Sequence, residues 1–180
     1  MNESANLSSK QKTTVKDDNN NVYILDNFFY LIDEEKLKGN NIMAITNHNL
    51  PKSDKLYFSN AIIDLKNQNF IAKDTLIEVH NDIFGNIKNN PRVKSVSSNK
   101  EGNITTLKKG VFTSCNINEK CPSWSIKAEE IKHDKTKKQM IYKNAFLKIL
   151  DVPVLYFPKF FHPDPSVNRR SGFLHPQFNN

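Results

Sequence analysis

The feature that most restricts the fold is an alternation of apolar and polar residues with a period of two, held over short runs and broken by polar clusters. Trp124, Ile126 and Ala128 oppose Ser125, Lys127 and Glu129, and Ala145, Leu147 and Ile149 oppose Asn144, Phe146 and Lys148. Successive side chains on opposite faces are the mark of a β-strand, so one face of each run is dry and the other wet. Thr75, Ile77 and Val79 against Glu78 and His80 obey the same rule, as do Leu56, Phe58 and Ile62 on another run. Runs rich in Ile, Val, Phe and Tyr at 22–31, 55–65, 74–80, 123–131 and 140–150 are separated by Asn, Asp, Lys and Gly clusters, and no helical period is sustained. The pattern predicts an all-β chain: an antiparallel β-roll or jelly roll over residues 22–155, with almost no helix. A disordered lead-in over residues 1–21 precedes it, and an extended segment over residues 156–180 follows.

A loose internal repeat supports the roll. The tetrapeptides Ile32-Asp33-Glu34-Glu35, Ile63-Asp64-Leu65-Lys66, Ser98-Asn99-Lys100-Glu101 and His133-Asp134-Lys135-Thr136 each follow a strand-like run and precede another. Their Asp or Asn positions lie 31, 35 and 35 residues apart. One hairpin cannot bury its own apolar face, so units of this size stack. The inner face of such a stack either shelters acyl chains, with lysines at its rim meeting phosphate, or closes into a dry sandwich core. Periodicity does not choose between them.

The chain of 180 residues suits one domain plus tails, and its net charge of +7 suits an anionic partner. Lysine runs such as Lys132-His-Asp-Lys-Thr-Lys-Lys138 fall on turns and outward faces without a nucleic-acid-binding signature, so we read them as solvated charge and expect no nucleic acid partner. His48, His80, His133, His162 and His175 are scattered, with no spacing that pairs any of them with a nucleophile or metal ligand, and there is no phosphate loop or nucleophile elbow. A non-enzyme without cofactor or metal is the expectation. Cys115 and Cys121 stand six positions apart, close enough for a local bridge in an oxidising compartment and two thiols in a reducing one. The N-terminus lacks the apolar stretch of a secretory signal, which taken literally predicts a cytoplasmic protein.

Three landmarks in order carry a family resemblance: Gly110-Val-Phe-Thr-Ser-Cys115, then Trp124-Ser-Ile-Lys-Ala-Glu-Glu-Ile-Lys-His-Asp134, then the aromatic, proline-rich run from Val152 into Arg169-Arg-Ser-Gly-Phe-Leu174. They resemble the segment of the LPS-assembly (LptD, OstA) family where a periplasmic domain hands over to an outer-membrane barrel. Residues 22–103 match the looser pattern of the OstA-like β-roll. The resemblance implies a non-catalytic lipid conduit at the periplasmic face of the outer membrane. It would accept lipopolysaccharide from a bridge protein with a similar β-roll and work beside the lipoprotein plug of the barrel, with the exporting signal and the barrel absent from this sequence; the alternatives are a free-standing periplasmic OstA-like lipid-binding roll and, behind it, a basic nucleic-acid-binding β-domain. Ile77, Val79, Trp124, Ile126, Leu147 and Ile149 are the expected lipid-facing residues. Cys115 matches the family cysteine that in many members pairs with one near the far end of the barrel, and Cys121 resembles an extra cysteine of a subgroup. A local Cys115–Cys121 bridge and two unpaired thiols both stay open.

Overall fold

Among the described residues, eleven strands form one antiparallel sheet in which sequence neighbours are almost always spatial neighbours. The computed structural model describes residues 6–80, 90–118, 122–164 and 167. The strands are β1 (Asn6–Ser9), β2 (Thr13–Lys16), β3 (Val22–Leu31), β4 (Lys36–Thr46), β5 (Asp54–Asp64), β6 (Asn69–Glu78), β7 (Arg92–Glu101), β8 (Ile104–Thr113), β9 (Trp124–Asp134), β10 (Gln139–Ile149) and β11 (Val152–Pro163). Strands β3 to β11 follow one another in order, and the sheet does not close on itself. The expected all-β antiparallel roll is what forms.

Two expected boundaries move. The lead-in over 1–21 is not disordered where it is described: β1 pairs with residues 28–31 and β2 with residues 22–25, both on β3. Thr13 and Val15 are the half-buried members of β2, Val15 packing on the core, so a short period-two run inside a polar segment suffices to cover a sheet edge. At the other end the boundary at 155 falls inside β11, which pairs with β10 from Val152 to Pro163. Prolines are admissible there because β11 is the last strand of the sheet, where one side of the backbone donates to no described neighbour. Residues 168–180 lie outside the described residues.

Each long strand bends once. Between β4 and β11 each ladder breaks at one or two residues per strand, and the residues common to these breaks align as a row: Asn41, Ser59, Asp74, Val96, Lys109, Glu129, Asn144 and Pro158. Asn41, Asp74, Lys109 and Asn144 take left-handed backbone angles, with φ between 47° and 51°. Asn and Asp adopt this region most readily after glycine, which accounts for three of the four. The row faces outward. Ser59 Oγ donates to Asp74 Oδ2 at 2.8 Å, and Asn144 Nδ2 donates to Glu129 Oε2 at 2.6 Å.

The skipped residue reverses the inward parity of the strand. On β5, Leu56 and Phe58 point inward before the bend and Ala61 and Ile63 after it, so Ile62 is 43% exposed, contrary to the uniform alternation expected of Leu56, Phe58 and Ile62. The concave side of the bend is crowded and carries small residues: Gly39, Ala61, Ala72, Gly110, Ala128 and Ala145. A Cβ on Gly110 would sit 2.6 Å from Ile131 Cδ1, and one on Gly39 would sit 2.5 Å from Leu25 Cδ1.

The result is a folded sheet with two arms. The turn arm ends in the connections 32–35, 65–68, 102–103 and 135–138, and the loop arm in the connections on the opposite side. Successive turns are stitched together: Leu65 N donates to Glu35 O at 2.9 Å, Lys135 N to Asn103 O at 2.9 Å, and Gly102 N to Asn69 Oδ1 at 2.8 Å. The repeat read in the sequence is this stack of hairpins. Asp64 and Asp134 hold equivalent posts, accepting from Asn67 N at 2.8 Å and Lys137 N at 2.9 Å, whereas Asp33 lies inside its turn and Asn99 inside β7.

Candidate functional site

Between the arms lies an open cavity of about 650 Å³. Its apolar wall comes from both arms, chiefly Phe58, Phe70, Ile77, Val93, Leu107 and Met140. The bend makes this possible, because it brings Leu107 and Met140 of the turn arm opposite Ile77 and Val93 of the loop arm. A volume of this order is typical of pockets for small organic ligands, which run roughly 300–1,000 Å³.

Polar networks finish the two ends. At the β3 end, Asp17 accepts from Asn21 N at 2.8 Å, from Tyr23 Oη at 3.0 Å and from Gln68 Nε2 at 3.0 Å. Burial pushes the Asp17 carboxyl up, but these donors outweigh it and hold the group below its usual value. At the β11 end the arms meet. Phe112 of the loop arm and His162 of the turn arm have ring centroids 6.1 Å apart, and Phe112 also contacts Trp124 edge-on at 5.7 Å. His162 Nδ1 donates to Pro163 O at 2.7 Å, which in the neutral ring leaves Nε2 to accept from Tyr142 Oη at 2.9 Å. Burial holds the His162 imidazole below its usual value. Beside it His133 Nε2 engages the Asp164 carboxylate.

The two rims differ in charge. Lys100, Lys135 and Lys138 line the turn-arm rim, while the loop-arm rim carries Asp54, bonded to His80 Nδ1 at 2.8 Å. Burial, with Lys135 nearby, lowers the affinity of Lys100 for its proton.

Of the residues expected to face lipid, Ile77 and Val79 line the cavity. Trp124 and Ile126 stand one layer away, packed on the aromatic cluster around Phe112. Leu147 is half-buried and Ile149 is 43% exposed, and neither lines the cavity. The reading of the sequence missed Phe70, Val93, Leu107, Phe112 and Met140, which lie on strands or half-strands whose parity it did not follow through the bend. Lysines were expected at the rim of such a stack, but Lys135 and Lys138 were read as solvated turn charge and Lys100 was not placed beside them. Cys115 is buried, with Sγ 3.6 Å from Trp124 O, whereas Cys121 and hence the local bridge lie outside the described residues. Among the described residues no group of three or more His, Cys, Asp and Glu comes together. Among the described residues no helix is long and apolar enough to cross a membrane.

No family model matches the chain. A stretch of 78 residues, 43% of this chain, is 36% identical to the LPS-assembly protein LptD of Xanthomonas oryzae pv. oryzae, of which it covers 9%. LptD of Hahella chejuensis is 35% identical over 79 residues, 44% of this chain and 10% of that protein. LptD of Francisella tularensis subsp. novicida is 41% identical over 56 residues, 31% of this chain and 6% of that protein. The chain thus has partial homology to LptD, and the matched stretch covers about a tenth or less of the length of these relatives.

Proposed function

We propose, from the partial homology to LptD, that the chain takes part in lipopolysaccharide transport in the cell envelope, as a non-catalytic part of an outer-membrane assembly. The observation that carries the reading is the apolar cavity of about 650 Å³ held open between the arms of an OstA-like roll. Acyl chains leave water for this wall at about 0.8 kcal/mol per methylene, while the sugar and phosphate groups stay at the rims. No bond is made or broken. A roll of this kind accepts lipopolysaccharide from a periplasmic bridge with a similar β-roll and passes it toward a barrel and its lipoprotein plug at the outer membrane.

Within this reading Ile77 and Val79 touch acyl chains directly, together with Phe70, Leu107 and Met140. Trp124 and Ile126 support Phe112 from behind. Site-specific photo-crosslinking to lipopolysaccharide tests this. Probes at Ile77, Val79 and Leu107 are expected to label strongly, probes at Trp124, Ile126, Leu147 and Ile149 weakly, and probes at Ile71 and Lys127 on the outer face hardly at all. Equal labelling from the inner and outer faces contradicts the proposal.

A further inference from the structure

The cavity is electrically one-sided. Two neighbouring hairpins of the turn arm bring Lys100, Lys135 and Lys138 to one rim: Lys100, near the end of β7, donates its ammonium to Gln68 O, and Lys135 and Lys138 open and close the next turn of the arm. None of the ion pairs formed among the described residues uses these three lysines. Asp164, the carboxylate that lines this rim among the described residues, is engaged by His133. Across the mouth, the loop-arm rim presents Asp54 with His80. Phosphate is therefore attracted to one rim and repelled by the other, while the apolar wall is common to both.

We infer that Lys100, Lys135 and Lys138 form a phosphate site that fixes the direction in which a phosphorylated amphiphile enters the trough, its phosphate at the turn-arm rim and its chains running toward Leu107, Val93 and Ile77. The inference rests on the proposed lipid-binding role and adds to it the headgroup chemistry and the orientation. Lys100, half-buried and close to Lys135, gains most from an anion, because a phosphate relieves both its desolvation and the repulsion between the two ammonium groups. Lys135 and Lys138 are exposed and can be altered without touching the core.

Calorimetric titration of the full chain with dodecyl phosphate, dodecyl maltoside and inorganic phosphate, each amphiphile below its micellar concentration, tests the site. The wild-type chain is expected to bind dodecyl phosphate about tenfold more tightly than the maltoside, and inorganic phosphate far more weakly than either. The K135Q/K138Q variant is expected to lose most of that preference and keep its affinity for the maltoside. Adding K100Q removes the rest, and should that triple variant not fold, the double variant decides alone. A preference that survives K135Q/K138Q, or equal binding of the two amphiphiles by the wild type, overturns the lysine site while leaving the trough intact. Inorganic phosphate binding as tightly as dodecyl phosphate identifies a free-anion site and overturns the orientation. Failure of both amphiphiles to bind removes the lipid-binding role itself and the inference with it.

Discussion

The core is divided between β6 and β7 into two clusters of different character. The N-terminal cluster is largely aliphatic at its crease, with Leu25, Leu37 and Ile42 almost wholly buried, and it ends in the Asp17 network. The C-terminal cluster is aromatic and histidine-bearing: Tyr142, at 0% exposure, stacks on His162 at 5.4 Å and lies 5.6 Å from Phe160. Where the clusters part, the crease carries hydroxyls instead of hydrocarbon. Thr75 Oγ1 and Ser98 Oγ are 2.6 Å apart, and the buried Ser95 Oγ has no hydrogen-bond partner among the described residues. The difference teaches how an open trough is kept: the arms are packed together at the two ends, and the middle is filled with residues too small and too polar to draw the arms shut.

The largest expected effect comes from removing the aromatic closure. Tyr142→Ala should cost about 3–5 kcal/mol in urea unfolding, as for other large buried rings, and should also release Phe160 and His162 from the turn arm. Tyr142→Phe keeps the packing and loses one hydrogen bond, for about 0.5–1.5 kcal/mol. Equal costs for the two variants would mean that the ring itself does not hold the closure.

Next in size is the bend. Asn144, at φ 48°, is expected to tolerate Gly and to lose roughly 1–2 kcal/mol as Val, because a β-branched residue is strained in the left-handed region. Lys109→Gly, at φ 51°, should leave stability unchanged or raise it. If Asn144→Val proves harmless, the row of skipped residues does not set the bend.

A smaller effect tests the divide between the clusters. Ser95→Ala removes a buried hydroxyl that lacks a partner, and should stabilise the fold by roughly 1 kcal/mol or less. Destabilisation would show that the hydroxyl is satisfied and that the middle of the crease is as well packed as its ends.

The smallest effect is in pH. Burial lowers the His162 affinity for protons from its usual midpoint of 6.5, so the unfolded chain takes up that proton first as the pH falls. The contribution is absent above about pH 6.5 and becomes destabilising below it. His162→Gln should therefore lose less melting temperature than the wild type between pH 7 and pH 5.5, and identical slopes would contradict a neutral, buried ring.

Strand content was legible because parts of β5, β6, β9 and β10 on one side of the bend alternate. Strands β4, β7 and β8 were not marked as apolar runs for a physical reason. Their inward residues change parity at Asn41, Val96 and Lys109, so Leu37 and Ile42, or Leu107 and Phe112, are never in one alternating series. The same switch misplaced Ile62 and concealed most of the cavity wall. Ile77 and Val79 were legible because they lie on one side of a bend. Leu147 obeyed the local alternation, but alternation gives the face of a strand and not its depth in the trough. Lysines on the turns were legible, but not which of them meet, because Lys100 and Lys135 are 35 residues apart and come together only when hairpins stack.

The central claim, that the bend turns one set of apolar side chains into the wall of an acyl-chain trough, is tested most directly by intermolecular nuclear Overhauser effects between protein methyl groups and a bound dodecyl phosphate chain. The account predicts contacts from Ile77, Val93, Leu107 and Met140 and none from Ile62, Ile71 and Val96, which the same bend turns outward. Contacts of equal strength from Ile62 and Ile71, or none from Leu107, would contradict it.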